Sequence, residues 1–263
     1  MGNRNARPVI LAFGGLDPTG GAGILMDARA ACAAGAHACA VISCLTVQTT
    51  ASFSRFAAVP RDVLDESLAS ADSAFRLGAV KVGMVGTRAA AEAIVTFLAA
   101  RRELPVVVDP VLRSSSGALL LAKSALPAYR RLLRRADVVT PNLLEAEKLL
   151  DRRFATFGDA VEGAGELAEV TGASVVLKCG HFPWKGRRGV DIVVCRGQVT
   201  LLPPAVARTG DPHGTGCALA AALAARLAAG DGVVPAAMAA KALLDRLAAG
   251  GFLSAEGRVT LFP

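Results

Sequence analysis

Aromatic side chains are scarce in this sequence, 5% of 263 residues, with one Trp and one Tyr among them. They do not interleave with the basic residues, and no helix-turn-helix, zinc-finger or RNA-recognition pattern is present, so base stacking on a basic surface has nothing to carry it. The formal charge of +7 comes largely from arginine pairs, Arg101-Arg102, Arg130-Arg131, Arg134-Arg135 and Arg187-Arg188, which read as solvated helix faces. No nucleic-acid partner is expected. A basic bias also suits small anionic substrates.

Histidine is rarer still, at three residues, and the six cysteines (Cys32, Cys39, Cys44, Cys179, Cys195 and Cys217) form no CxxC pair. Zinc-ligand spacing is therefore missing, and thiols in mostly apolar segments read as reduced. Long apolar runs are lacking too. No stretch of roughly eighteen residues is apolar and free of charge, and residues 1–8 have no apolar signal-peptide core. The expectation is a cytoplasmic protein with no membrane partner. Linkers, repeats and low-complexity tracts are absent apart from alanine richness, which predicts one domain over residues 1–263. With 53% hydrophobic residues the chain can bury a substantial core.

What is present is a rhythm. Short β-rich runs at 9–13, 37–47, 80–82, 105–108, 138–140 and 174–178 alternate with amphipathic, Ala/Leu-rich segments at 21–34 and 61–77 and from Arg88, Leu121, Asn142 and Asp159. Near-continuous apolar strands of this kind belong in a parallel sheet with helices on both faces. Residues 191–195 and 199–202 flank Arg196-Gly197-Gln198 as a hairpin, so an antiparallel part is expected late. Two Ala-rich helices, from about Gly216 and Pro235, close an α/β domain. In open sheets of this class ligands sit at the carboxyl ends of strands.

Polar residues gather at those ends. The first strand runs into Gly14-Gly15-Leu16-Asp17-Pro18-Thr19-Gly20-Gly21-Ala22-Gly23, which lacks the Lys and Ser/Thr of a P-loop and the GxGxxG spacing of a dinucleotide site. Its glycines would let a flat ligand lie against the backbone, with Asp27 either an acceptor of hydroxyl or amine hydrogens or a solvated helix carboxylate; Asp17 reads as a turn residue. Gln48, in a polar stretch from Thr46 to roughly Ala57, carries the donor and acceptor that complement a ring nitrogen beside an exocyclic amine, or is simply solvated. Met84 can pack on a ring or in the core. Asp109 can orient magnesium through water or start a turn. Asn142 and Glu145 resemble a capping box, and the same pair can hold hydrated magnesium. Lys178 ends an apolar strand, where an ammonium can neutralise a phosphate.

The stretch 209–230, TGDPHGTGCALAAALAARLAAG, joins a Gly-rich turn to a helix with a thiol in its first turn. The amides of Gly214, Thr215 and Gly216 can converge on one anion, and the helix dipole adds positive potential. Cys217 in that field is expected to have a lowered pKa and to serve as thiolate or general base; the alternative is a packed small cysteine.

The ordered set DPTGGAGI with Asp27 downstream, GAHACAVISCLTVQT, VKVGMV, VVVDPV, VTPNLLEAEKLL, VLKCGH and HGTGC resembles the hydroxymethylpyrimidine/phosphomethylpyrimidine kinases of thiamine biosynthesis, in the ribokinase-like superfamily. The resemblance covers nearly the whole chain. It implies a ribokinase-like three-layer sandwich and transfer of the γ-phosphoryl group of ATP to 4-amino-5-hydroxymethyl-2-methylpyrimidine, then to its monophosphate. By the same correspondence Cys217 takes the proton of the hydroxymethyl group, and Gly214, Thr215 and Gly216 stabilise the transferring phosphoryl group. Gly15, Asp27, Gln48, Met84 and Val111 line the pyrimidine pocket. Asp109, Asn142 and Glu145 organise Mg2+ and phosphates, with Asp109 and Glu145 toward the metal and Lys178 on ATP. A homodimer is implied as well.

Several positions depart from the family pattern: Thr49 for Asn, Leu16 for a small polar residue, Cys179 for Gly, Ser115 for Lys, and a short region over 181–190. These leave room for pyridoxal, whose ring carries a comparable hydroxymethyl group. Pyridoxal/pyridoxine kinase on the same fold and a catalytically silent vitamin-binding protein are the competing readings.

Overall fold

Strands and helices alternate as the sequence rhythm predicts, in a computed structural model that describes residues 7–114, 117–180, 189–204 and 213–262. In chain order the elements are β1 (Val9–Leu16), α1 (Gly23–Ala33), β2 (His37–Gln48), β3 (Phe53–Ala58), α2 (Arg61–Ala74), β4 (Ala79–Val82), α3 (Arg88–Ala99), β5 (Val106–Val108), α4 (Leu126–Arg135), β6 (Val138–Val139), α5 (Leu143–Leu150), α6 (Phe157–Thr171), β7 (Ser174–Leu177), β8 (Asp191–Cys195), β9 (Gln198–Leu202), α7 (Thr215–Ala228), α8 (Val233–Ala249), β10 (Phe252–Leu253) and β11 (Val259–Thr260).

Among the described residues the main sheet has nine strands in the order β3-β2-β1-β4-β5-β6-β7-β8-β9. From β2 to β7 neighbours run parallel. The antiparallel part expected late is there, with β8 on β7 and β9 on β8. A second one lies at the opposite edge, where β3 pairs with β2. The sequence shows only a polar stretch here because β3 is mostly exposed and has no apolar alternation; pairing with β2 and the half-buried Phe53 and Phe56 hold it.

Period-two side chains on the buried strands divide the core between the two faces. Leu11, Phe13, Val106, Val108 and Val139 pack with α2, α3 and α4, while Ile10, Val107, Val138 and Val176 pack with α1, α7 and α8. Val175 and Leu177 cover a third cluster with α5 and α6. The result is the three-layer sandwich. Residues Ala218 to Ala225 of α7 are all buried, against α1, α8 and the strands β1, β4 and β5. Alanine richness here therefore serves close packing as well as helix propensity, and larger side chains would overpack the layer by about 1–3 kcal/mol. Among the described residues no helix is long and apolar enough to cross a membrane.

Two helices begin at capping boxes. Asn142 and Glu145 form the expected one at α5, each bond 2.8 Å long. Thr156 and Asp159 form another at α6, so that helix starts ahead of Asp159. Strand order reverses between β1 and β4, and the carboxyl ends of these strands open a crevice at the switch point.

Candidate active site

A cavity of about 290 Å³ occupies that crevice, and every residue the sequence reading assigned to a site lines it: Gly15, Asp27, Gln48, Met84, Val111, Asp109, Asn142, Glu145, Lys178, Gly214, Thr215, Gly216 and Cys217. The topology explains why they meet. Gly15 and Gln48 end β1 and β2, Met84 and Asp109 follow β4 and β5, Asn142 and Glu145 follow β6, and Lys178 follows β7. One wall is apolar and rich in sulfur. Met84, Cys44 and Leu120 cluster with Phe53, Phe56 and Val111. A Cβ at Gly15 would stand 3.1 Å from Met84 Sδ and 3.2 Å from Cys44 Sγ, so only glycine leaves room there for a flat ring against backbone.

The floor holds an ion pair that the sequence reading missed. Lys81 Nζ donates to both oxygens of Asp27, at 2.8 and 2.7 Å, and the two side chains are 1% and 0% exposed. Asp27 is thus neither solvated nor a free acceptor. Burial lifts its pKa to about 6 against the pull of Lys81. Burial works against the Lys81 charge, but Asp27, Cys217 and Asp109 more than restore it and raise its pKa. Lys81 could have been found by the signal that revealed Lys178, a lysine in an otherwise apolar strand.

Cys217 lies in the first turn of α7 as expected, but its pKa is not lowered. Burial drives the thiol up to about 12; Lys81 and the Gly23 N–H favour the thiolate, while Asp27 and Asp109 disfavour it. Desolvation outweighs the helix terminus. At rest Cys217 is a thiol.

On the far side Asp109 Oδ1 accepts from Lys178 Nζ at 2.7 Å and from Thr140 Oγ1 at 3.2 Å. Lys178 is anchored by its own N–H to the Pro141 carbonyl, 2.8 Å away. Burial opposes its charge, yet Asp109 and Glu145 raise its pKa. Burial and the nearby Asp109 push Glu145 up to about 7, with Lys178 opposing. Two close carboxylates of this kind gain from a cation between them. Among the described residues no group of three or more His, Cys, Asp or Glu is placed to hold a metal. Asp109 and Glu145 both line the cavity, and carboxylate oxygens are hard donors of the kind a hydrated magnesium ion takes.

The cradle is built on glycine. Gly214 takes φ +83°, and a Cβ there would collide with the Gly21 carbonyl oxygen. A Cβ on Gly216 would sit 2.9 Å from Lys178 Nζ, so the turn and the lysine share one space. Gly21 and Gly23 bring the β1–α1 turn against it. Asp17 does shape that turn, accepting from Thr19 N and Ala22 N at 2.9 Å. It also meets His213 Nε2 at 3.1 Å. Although burial opposes it, hydrogen bonds from His213, Thr19 and Gln48 hold Asp17 down at about 2. His213, Thr46, Thr50, Arg113 and Arg258 also line the cavity and were not singled out from the sequence.

Leu16, Thr49 and Cys179, three of the departures from the family pattern, do not line the cavity. Thr49 Oγ1 accepts from the N–H groups of Ala51 and Ser52 in the β2–β3 turn, and buried Cys179 donates its N–H to Asp191 at 2.8 Å. Ser115, residues 181–188 with Arg187-Arg188, and residues 209–212 ahead of the cradle lie outside the described residues.

Residues 17–259 match the family described as phosphomethylpyrimidine kinase. The chain belongs to that family. It is 38% identical over 240 residues to the hydroxymethylpyrimidine/phosphomethylpyrimidine kinase of Rhizobium meliloti, covering 90% of this chain and 88% of the relative. Among solved structures it is similar to the phosphomethylpyrimidine kinase of Clostridium difficile, with TM-score 0.79, 26% identity and coverage of 92% and 99% of the two chains. It is also similar to the pyridoxal kinase of Staphylococcus aureus, with TM-score 0.86, 25% identity and coverage of 98% and 93%. Against the multifunctional thiamine-biosynthesis protein of Corynebacterium efficiens, the chain spans 31% of the relative's length.

Proposed function

We propose that this chain transfers the γ-phosphoryl group of ATP to the hydroxymethyl oxygen of 4-amino-5-hydroxymethyl-2-methylpyrimidine, and then to the resulting monophosphate. The observation that carries this reading is one cavity in which a flat, apolar ring site, Gly15 with Met84 and Val111, faces the Gly214–Thr215–Gly216 cradle and Cys217. The ring lies on Met84 while Gln48 reads a ring nitrogen and its neighbouring amine. That orientation aims the hydroxymethyl group at Cys217.

The substrate oxygen bonds to the γ-phosphorus as the bond to ADP breaks, and the proton leaving that oxygen goes to Cys217 Sγ. Cys217 can accept it only as thiolate, so turnover draws on the ionised fraction that Lys81 and the Gly23 N–H support. The cradle amides and Lys178 face the charge on the moving phosphoryl group, and positioning plus such electrostatics supply most of the catalysis in phosphoryl transfer. Asp109 and Glu145, with Asn142 fixing Glu145, are the residues that would hold Mg2+, which would supply neutralisation of phosphate charge when bound. A single kinase domain over 1–263, a cytoplasmic location and a homodimer complete the proposal.

A second reading, pyridoxal kinase, is favoured by the likeness to the Staphylococcus aureus enzyme over 98% of the chain. One assay separates the two. Purified protein with Mg-ATP is offered the hydroxymethylpyrimidine, its monophosphate and pyridoxal, and products are counted by mass. The pyrimidine mono- and diphosphates are expected; pyridoxal phosphate alone selects the second reading, and no product from any of the three overturns both.

A further inference from the structure

The strand pair β10–β11 has no part in the chemistry above, yet it reaches the cavity from two walls. At the cradle wall the His213 N–H donates to the Val259 carbonyl at 3.0 Å, and His213 bridges Thr260. At the ring wall Thr50 Oγ1 and the Ala51 N–H donate to Glu256 Oε2 at 2.6 and 3.1 Å, and the Thr50 and Ser254 hydroxyls meet at 2.9 Å. Those anchors flank Arg258. Its N–H donates to Ser254 Oγ at 3.2 Å, and its carbonyl accepts from Ser254 N at 2.8 Å, so the base of the side chain is fixed on both sides.

Arg258 lines the cavity between Thr50, which follows Gln48, and His213, which precedes Gly214. Lys81, Lys178 and Arg113 line it too, but the lysines already hold Asp27 and Asp109, and Arg113 Nη1 donates to the Gly117 carbonyl at 2.6 Å. Among the described residues no carboxylate pairs with Arg258. A guanidinium without an acid, set between ring and cradle, suits the forked, charge-assisted bonds that phosphate oxygens accept.

We propose that Arg258 is a specificity-determining residue that binds the phosphate carried by the ring substrate in the second transfer. The inference rests on the kinase reading. In the first transfer the acceptor is neutral. In the second, an oxygen of the monophosphate forms the new bond to the γ-phosphorus while the bond to ADP breaks, so two phosphate groups must approach each other. A cation carried on the turn between β10 and β11 offsets that repulsion only for the phosphorylated substrate.

The test compares kcat/KM for the hydroxymethylpyrimidine and for its monophosphate, with Mg-ATP, in wild type, Arg258→Ala and Arg258→Lys. The expected result is a fall of about 10- to 100-fold in the ratio of monophosphate to alcohol for Arg258→Ala, the size of one lost charge-assisted contact, with partial recovery in Arg258→Lys. Equal losses on both substrates, or no loss on either, overturn the role of Arg258. A wild-type enzyme that phosphorylates the alcohol and never the monophosphate also overturns it, while the first transfer of the kinase reading stands. Failure on both substrates overturns the two together.

Discussion

Lys81 and Asp27 are a fully buried ion pair on the floor of the cavity, with the ammonium bonded to both carboxylate oxygens at 2.8 and 2.7 Å. Such a pair is tolerated only while both members are present, because either charge alone would be stranded in low dielectric. Lys81→Met should lower stability by about 3–5 kcal/mol, and the double variant Lys81→Met with Asp27→Asn should recover much of that loss. Urea unfolding of the three proteins measures this directly. A cost for Lys81→Met below about 1 kcal/mol, the level of an exposed pair, contradicts the burial argument.

Gly216 leaves the space that Lys178 fills. A Cβ there would stand 2.9 Å from Lys178 Nζ and 3.5 Å from Asp109 Oδ2, so Gly216→Ala should displace the ammonium while the helix, which favours alanine, stays intact. The KM for ATP should rise about tenfold, the effect of one weakened charge-assisted contact, with the KM for the pyrimidine moving less. Steady-state kinetics with each substrate varied in turn decides it; an unchanged KM for ATP separates Lys178 from the phosphates.

Asp17 ties the β1–α1 turn to His213, and its carboxyl group sits at about 2 in the folded chain. A depressed carboxylate stabilises the fold above its unfolded pKa near 3.8 and loses that contribution as pH falls through the folded value. The expected contribution is about 2 kcal/mol at neutral pH, lost mostly between about pH 4 and pH 2. Denaturant unfolding at several pH values should show a steeper acid decline in wild type than in Asp17→Asn. Parallel curves would remove Asp17 from the acid response.

The site was legible from the sequence because a parallel sheet collects its strand ends. Once 37–47, 105–108, 138–140 and 174–178 read as strands of one parallel sheet, the polar residue at or just beyond the end of each had to face one crevice, which is how Gln48, Asp109, Asn142 and Lys178 arrived together. Lys81 escaped because it lies inside β4, away from the strand end where site residues are sought, and its partner on α1 is 54 positions away in the chain. β3 and the β10–β11 pair escaped for another reason. β3 is a mostly exposed edge strand, and β10 and β11 have two residues each, so neither carries a periodic apolar signal. The ionisation of Cys217 was misread because a helix terminus can be seen in sequence and desolvation cannot.

The central claim is that the turn from Gly214 to Cys217 is the phosphoryl-transfer centre and that Cys217 takes the substrate proton. Its most direct test is turnover of the hydroxymethylpyrimidine by Cys217→Ala, beside ATP binding by the same protein. Loss of one general base should cut kcat by about 10²- to 10⁴-fold and abolish the rise of kcat with pH that a thiol pushed up to about 12 imposes on wild type, while ATP affinity stays close to wild type. A kcat equal to wild type, with the same pH profile, contradicts it.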